Sequence, residues 1–400
     1  MDAIVLDGEQ RPTLAVTRSL GRKGIRVAVG AEKEPSLSSS SRFCSRSFVY
    51  PSPYEDPSGF MDAVMDFTAR YRHSVLFPMT DVTLTEILMN RSMFPENIAI
   101  PFVDYGTYSQ ATDKNKLYML ARDLGVPVPV SFLSTDHDGQ ERLVETVRDS
   151  GFPVVVKPSL SKIRTGMGWI DAKVQYARDE RELREILSRE MFRQYPFLIQ
   201  KRIEGPGVGI FLLMDKGEVV GKFAHRRIRE KPPSGGVSVL CESIEIPSQA
   251  LQDAVKILAH LEWTGVAMVE FKIDREDNVA RLLEVNARFW GSLQLAISAG
   301  VDFPYLLYRM ANGETIERAD GYTVGLKSRW ELGDFDHLLI RLFKHSPQLN
   351  LQADHSSRTL LVKEFLLDFF RSGVKHEVMQ MHDTKPFIHE LKGYIRYIFH

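Results

Sequence analysis

Two β-rich stretches decide the fold of this chain: Val266–Ile273 reads VAMVEFKI and Leu282–Asn286 reads LLEVN. Strand side chains alternate between two faces, so Glu284 and Asn286 share one face of the second stretch. A short polar turn joins the stretches as a hairpin, which lets Glu270 face Glu284. Carboxylate and amide oxygens of this kind suit Mg²⁺. We therefore predict a magnesium site formed by Glu270, Glu284 and Asn286.

A simpler explanation of these acids is exposure at a sheet edge, because most glutamates in strands face water. Glu284 argues against exposure, since it interrupts the otherwise apolar run that ends at Val285. A charge on an inward strand face is costly unless it is paired or bound to a metal. The pattern favours metal binding over solvent exposure.

A second signal is the continuous apolar strand Gly151–Pro158, which ends in Lys157. The basic residues Lys162 and Arg164 follow, with two glycines close behind. A loop of this composition can wrap phosphate groups through backbone amides and cations. A lysine at a strand end also often marks the return to solvent, so the signal is weak alone. We predict that Lys157 contacts a phosphate.

The third signal is Phe197–Gly207, an apolar strand that runs into a polar Gly-Pro turn. The pattern is typical of a hinge between two lobes, where backbone groups can bind the edge of an adenine. Solvent exposure explains its polar side chains equally well.

A basic strand and a Gly-rich turn occupy residues 225–238. Arg226 and Arg229 are candidates for binding a terminal phosphate or a substrate carboxylate, because guanidinium groups match such oxyanions. Charged residues on strand edges also serve simply to resist aggregation, and that alternative stays open. Of the two arginines, Arg226 is the first candidate.

The chain opens as a βαβ unit, with apolar runs at Ala3–Leu6 and Ile25–Val29 around a helical stretch. Further alternation of strands and helices up to Thr112 predicts a doubly wound sheet. The first turn lacks the G-x-G-x-x-G pattern, which disfavours a nicotinamide dehydrogenase. The serine-rich stretch Glu32–Arg46 is predicted to be an exposed loop.

Composition excludes several classes of protein. Hydrophobic residues make up 44% of the 400 residues and charged residues 26%, with a formal net charge of -1, which gives no field for nucleic acid. The two cysteines, Cys44 and Cys241, are far apart and form no metal-type pair, which fits a reducing cytoplasm. The acidic N-terminus and the lack of an apolar run of about 20 residues predict neither secretion nor an integral membrane segment.

The order of these segments resembles the ATP-grasp superfamily, in particular carboxylate-amine ligases and the large subunits of carbamoyl phosphate synthetases. The resemblance rests on Asp113-Lys114, Val156-Lys157-Pro158, Ile199–Gly205, Val269-Glu270 and Glu284–Arg288. It covers roughly residues 1 to 310. The phosphate loop has fewer glycines than many members carry, and Gly207 stands near the position of their ribose-binding acid.

The resemblance implies an α/β and α+β fold in four parts. These are an N-terminal Rossmann-like domain at 1–112, a small ATP-grasp lobe at 113–196, a large lobe with the metal site at 197–312, and a C-terminal extension at 313–400. The extension reads as partly helical, and its interleaved basic and aromatic residues near Tyr394 predict an amphipathic helix.

The resemblance also implies the roles of individual residues. By this resemblance, Lys114 and Lys157 contact the nucleotide phosphates, and Arg288 faces the transferred phosphate. The magnesium ligands are Glu270, Glu284 and Asn286, and Mn²⁺ is an alternative metal. The adenine hinge and its neighbour comprise Gln200, Lys201, Arg202, Ile203 and Glu204.

The predicted function is an ATP-dependent ligase that activates a carboxylate as an acyl phosphate for attack by an amine or amino acid, with release of ADP and phosphate. Two alternatives stay open: activation of bicarbonate, and an ATP-binding sensor or assembly protein without turnover. The expected partners are small-molecule substrates in the cytoplasm, without nucleic acid. The sequence leaves a homodimer open.

Overall fold

The computed structural model describes residues 1–71, 73–135, 139–233, 235–317, 321–343 and 357–399. Ser234 of the predicted basic strand and turn lies outside these ranges, as do parts of the predicted C-terminal extension. Three main sheets organise the described residues, with five, four and seven strands.

The first sheet is parallel throughout, with the strand order β3-β2-β1-β4-β5. Helices alternate with its strands, and the strands near the centre are fully buried, so the predicted doubly wound fold is confirmed. Its elements are β1 (Ala3–Val5), α1 (Arg11–Arg22), β2 (Val27–Ala31), β3 (Cys44–Val49), α2 (Pro57–Thr68), β4 (Ser74–Phe77), α3 (Asp81–Met89), β5 (Ile98–Ala99) and α4 (Tyr105–Thr112).

The serine-rich stretch is not the exposed loop that the sequence predicted. Ser36 and Ser38 are fully buried. The backbone N–H of Ser38 donates to the carbonyl of Gly8 at 2.8 Å, and the Ser41 hydroxyl donates to Asp383 at 2.6 Å. The Ser36 hydroxyl accepts from the backbone N–H of Ser39 at 3.1 Å, whereas the buried Ser38 hydroxyl has no hydrogen-bond partner within the described residues.

The second sheet is antiparallel, with the order β10-β7-β11-β6, and a separate hairpin, β8–β9, projects from it. The elements of this region are α5 (Lys114–Asp123), β6 (Ser131–Leu133), α6 (Gln140–Ser150), β7 (Val154–Pro158), β8 (Lys162–Thr165), β9 (Gly168–Asp171), β10 (Gln175–Ala177), α7 (Glu180–Leu187), α8 (Glu190–Gln194) and β11 (Phe197–Lys201). The strand β11, which begins at residue 197 where the large lobe was predicted to start, pairs with β6 and β7 of this sheet.

The third sheet has seven strands in the order β16-β15-β12-β13-β14-β17-β18. Its region comprises β12 (Gly207–Asp215), β13 (Glu218–Lys231), β14 (Val237–Ser243), α9 (Ser248–His260), β15 (Gly265–Ile273), β16 (Ala280–Asn286), α10 (Leu293–Ala299), α11 (Phe303–Ala311), β17 (Lys327–Arg329), α12 (Glu331–Phe343), α13 (Arg358–Leu367), β18 (Val374–His376) and α14 (Lys385–Phe399).

The predicted C-terminal extension is part of this sheet. Its strands β17 and β18 pair in parallel, and β17 pairs with β14. The segment is also fixed to the first domain, because the buried Arg18 of α1 forms an ion pair with Asp383 at 2.8 Å. The tail thus completes the large sheet, and its predicted helices correspond to α12, α13 and α14.

Candidate active site

The centre of the candidate site is the hairpin of β15 and β16. Its register pairs Glu270 with Glu284 and Met268 with Asn286, so the predicted hairpin is confirmed and the two carboxylates share a face. Asn286 lies two residues beyond Glu284 and donates its amide N–H to that carboxylate at 3.2 Å. The structure therefore brings the three predicted metal ligands together.

Two lysines from the smaller lobe converge on Glu284. The Lys114 ammonium, at the start of α5, is buried, lies 3.9 Å from the Glu284 carboxylate and donates to the Ser161 hydroxyl at 2.8 Å. Lys157 is the fourth residue of β7 and is half-buried. Burial lowers the pKa of Lys157 to about 8, against the opposing attraction of Glu284. Two cations next to a carboxylate pair form a site suited to a polyanion.

The two carboxylates differ in their electrostatic surroundings. Burial raises the pKa of Glu270, and the nearby Arg227 only partly offsets that rise. Burial also raises the pKa of Glu284, but Lys114 and Lys157 outweigh it, so the pKa of Glu284 lies below its usual value. The difference arises because the lysines face Glu284 and the arginine faces Glu270.

The arginine at this cluster is Arg227, which the sequence analysis did not select. Its guanidinium lies 2.5 Å from the Glu270 carboxylate and 2.9 Å from that of Glu230. The predicted first candidate, Arg226, is on the opposite face of β13, where its side chain is largely exposed and pairs with Glu242 at 2.6 Å. Strand alternation explains the correction, because neighbouring residues face opposite sides.

Arg229 is also engaged elsewhere. A register shift in the pairing of β13 with β14 separates it from Arg227, and its guanidinium binds Asp334 and Asp368 of the C-terminal region, each at 2.7 Å. The structure therefore does not bring Arg229 to the carboxylate pair. Instead, Arg229 anchors the C-terminal helices to β13.

Arg288 lies just beyond β16, close to the predicted metal ligands. Its guanidinium is 3.4 Å from the Asn286 side-chain oxygen and forms an ion pair at 3.0 Å with Asp81, the first residue of α3. Both side chains are half-buried. Arg288 therefore connects the metal strand to the N-terminal domain, a contact that the sequence could not predict.

The predicted hinge continues from the end of β11. Gln200 is buried and donates to the Ser131 hydroxyl at 2.9 Å, while Lys201 is exposed. Arg202 and Glu204 lie 3.5 Å apart as an ion pair. The carbonyl of Ile203 accepts a hydrogen bond from Lys272 at 3.1 Å, so a lysine of β15 joins the hinge to the metal strands.

The predicted phosphate loop is the β8–β9 hairpin, and it packs against the N-terminal domain. The backbone N–H of Trp169 donates to the Tyr54 carbonyl at 3.1 Å. Gly168 has a φ of +130°, and an added Cβ would lie 1.9 Å from that carbonyl oxygen, so only glycine fits there. Few glycines are needed because the loop forms a regular hairpin with a fixed docking point.

Comparison with known proteins identifies the fold. A family model described as "ATP-grasp in the biosynthetic pathway with Ter operon" matches residues 193–330, about a third of the chain. The biotin carboxylase β-γ-ATP complex from Campylobacter jejuni superposes with a TM-score of 0.62 at 15% identity, covering 82% of this chain and 74% of that one. The matched segment is similar to this ATP-grasp family, and the chain has the fold of these structures.

Other ATP-grasp comparisons agree on the fold. The L-amino acid ligase from Bacillus licheniformis superposes with a TM-score of 0.58 at 17% identity, covering 78% of this chain and 74% of that one. The carbamoyl phosphate synthase arginine-specific large chain of Eremothecium gossypii is 24% identical over 257 residues, 57% of this chain and 22% of the relative. The chain thus spans less than a quarter of the length of that curated relative.

Two features are absent from the residues that the structure describes. Within these ranges, no helix is both long and apolar enough to cross a membrane. No group of three or more His, Cys, Asp or Glu side chains in the same ranges is arranged to hold a metal. The candidate ATP-grasp metal site differs from such clusters, because it combines only two carboxylates with an amide.

Proposed function

We propose that this chain is an ATP-dependent ligase that activates a carboxylate as an acyl phosphate, which an amine or amino acid then attacks. The observation that carries the proposal is the facing pair Glu270 and Glu284, with Lys114 and Arg227 in direct contact. Such a site can hold a metal and a triphosphate together, because two facing carboxylates have a cation on either side. The reaction transfers the terminal phosphoryl group to a carboxylate oxygen, and the amine nitrogen later displaces phosphate.

The residues present fit both cofactors. Two carboxylates and the Asn286 amide oxygen match the preference of Mg²⁺ for oxygen ligands, and Mn²⁺ would use the same set. The metal would offset negative charge on the phosphates when bound. Lys114 and Lys157 would bind phosphate oxygens, and residues 200–204 would hold the adenine.

Each cation has a distinct role in this proposal. Lys114 is held in place by Ser161 and Glu284, so its ammonium is preorganised for a phosphate. Arg227 opposes the rise that burial causes in the pKa of Glu270, and so acts through the metal ligand. Arg288, beside Asn286, is placed to meet charge on the transferred phosphate.

Two other functions remain as alternatives within the same fold. Bicarbonate activation would use the same nucleotide site with a smaller acceptor. A sensor without turnover would bind ATP without consuming it, yet it would have no need for two facing carboxylates with dedicated cations. We place the activity in the cytoplasm, with small-molecule partners. Whether the chain forms a homodimer stays open.

The product nucleotide tests the proposed mechanism directly. Purified protein incubated with ATP, Mg²⁺ and pools of carboxylic acids and amino acids should release ADP and phosphate in a manner that depends on both substrates. A coupled assay for ADP and a parallel assay for pyrophosphate distinguish release of ADP and phosphate from release of AMP and pyrophosphate. Pyrophosphate and AMP as main products would rule out the acyl phosphate route.

Arg227 and Arg226 are adjacent arginines with different partners, so a variant of Arg226 is a matched control for a variant of Arg227. In Arg227→Gln, Glu270 loses the cation that lowers its pKa, so more of it is protonated at neutral pH and Mg²⁺ affinity should fall about 10- to 100-fold. Arg226→Gln should keep near-normal affinity, because Arg226 is largely exposed and pairs with Glu242. Titration of activity with Mg²⁺ measures the difference, and equal losses in both variants would contradict it.

Lys157 predicts how nucleotide use depends on pH. Its pKa of about 8 means that the ammonium is charged at pH 7 and loses its proton as the pH rises through about 8. The value of kcat/KM for ATP should therefore decrease between pH 7 and pH 9, because this parameter follows groups of the free enzyme. Lys157→Arg stays charged and should flatten that decrease, and an unchanged profile would remove Lys157 from phosphate binding.

A further inference from the structure

The structure contains a cavity beside the metal ligands whose aromatic side chains the nucleotide assignment does not use. Its volume is about 90 Å³, and Lys114, Glu284 and Asn286 line it together with three aromatic side chains, Tyr105, Tyr108 and Trp169. We propose that this aromatic pocket binds the acid substrate, and that the acid carries an aromatic ring. The inference rests on the proposed function and specifies its substrate class.

One wall of the aromatic pocket is a face of α4 that runs from Tyr105 towards Lys114. Tyr105, Tyr108, Ser109 and Thr112 all line the cavity and follow helical spacing, so they form one face of α4. Eight residues of helix extend about 12 Å at about 1.5 Å per residue. The face starts at Tyr105 and leads to Lys114, which follows α4 almost directly. Tyr105 and Lys114 therefore lie at opposite ends of this helical face.

The opposite wall is the β8–β9 hairpin, and a buried carboxylate fixes its orientation. Glu86 of α3 is 1% exposed and accepts hydrogen bonds at 2.8 Å from both the Trp169 indole N–H and the Arg164 guanidinium. Both donors line the cavity. The Trp169 ring is thus held in one place before a ligand arrives, which reduces the entropy that binding would cost.

Polar groups near the tyrosines are already satisfied within the protein. The Tyr108 hydroxyl is 3.5 Å from Asp81 and 3.4 Å from Thr85, and Asp81 is itself paired with Arg288. Tyr108 therefore presents mainly its ring to the cavity, and Tyr105 lies beside it with the ring centroids 6.4 Å apart. Ring faces bind other planar groups through stacking and edge contacts.

The lining of the pocket separates an aromatic acid from bicarbonate. Bicarbonate has no ring that could pack against Tyr105, Tyr108 and Trp169. An aromatic acid would place its carboxylate at the Lys114 end and its ring at the Tyr105 end, so it would contact both ends of the pocket.

Direct binding of simple acids tests the pocket. Isothermal titration with the full chain, ADP and Mg²⁺ would compare 3-phenylpropionate and phenylacetate with acetate and bicarbonate. We expect at least one aromatic acid to bind about tenfold or more tighter than acetate, and Tyr105→Ala to weaken it about tenfold. Tyr397→Ala, which removes an 83% exposed tyrosine of α14, is the matched control and should bind normally.

Equal binding of acetate and the aromatic acids, or unchanged affinity in Tyr105→Ala, would overturn the pocket assignment. An ADP-release assay with the same acids distinguishes failure of the aromatic-pocket proposal from failure of the proposed ligase function. Bicarbonate-dependent ADP release without binding of aromatic acids would reject the aromatic substrate and leave acyl phosphate chemistry standing. Tight, Tyr105-dependent binding without ADP release for any acid and amine would support the pocket and reject the ligase.

Discussion

Replacement of Glu284 by Gln should lower turnover at least about 100-fold, the order of loss seen when a group that stabilises transition-state charge is removed. Glu284 faces Glu270 across the hairpin and is the acid that Lys114 contacts and Lys157 attracts. The substitution keeps the size of the side chain but removes its charge, so a metal loses one carboxylate ligand. The two lysines also lose the anion that balances them in the free protein.

Steady-state rates at saturating ATP and a wide range of Mg²⁺ concentrations measure this effect. Glu276→Gln is a suitable control, because it makes the same chemical change at an exposed position in the turn of the same hairpin. Circular dichroism and thermal unfolding would establish that both variants are folded. Near-normal turnover of Glu284→Gln and of Glu270→Gln would remove the metal assignment.

Replacement of Arg288 by Ala should lower kcat about 100-fold and leave the KM for ATP within about threefold. The guanidinium contacts Asn286 and Asp81, which both line the cavity, and its charge would meet phosphate only as transfer proceeds. An interaction made mainly in the transition state affects kcat rather than ground-state binding. A weaker KM with normal kcat, or no change at all, would defeat this role.

The ion pair of Arg288 with Asp81 offers a competing explanation, because loss of the arginine also frees a carboxylate of α3. Asp81→Asn separates the two. If the arginine acts on phosphate, Asp81→Asn should retain most of kcat and the double variant should resemble Arg288→Ala. If the pair acts only by joining the strand to the N-terminal domain, the two single variants should lose similar amounts of both activity and stability.

The sequence predicted the parts of the site that depend on local periodicity. Alternation in β15 and β16 placed Glu284 and Asn286 on one face, and a short polar turn placed Glu270 opposite, as the structure confirms. The order of the motifs predicted the fold, because each belongs to a strand or helix whose residues are contiguous. The assignment of individual residues to nucleotide, metal and phosphate stays a prediction.

Sequence periodicity failed wherever the outcome depends on which strands become neighbours. The segment 225–229 contains three arginines, and only the register of β13 decides that Arg227 meets Glu270 while Arg226 pairs with Glu242. The register shift beyond Arg227 then sends Arg229 to Asp334 and Asp368. No pattern within the segment encodes this, because the partners lie on other strands and helices.

The same limit applies to the longer-range contacts. The buried serines near Ser38, the pairing of Asp81 with Arg288, and the entry of β17 and β18 into the large sheet all join segments distant in sequence. The sequence by itself determined the strands, the turn and the chemistry of the carboxylate pair, since these depend on neighbours along the chain. Only the tertiary structure decided which cations face that pair and which rings enclose the adjacent cavity, because buried charges and rings take their partners from whichever element packs against them.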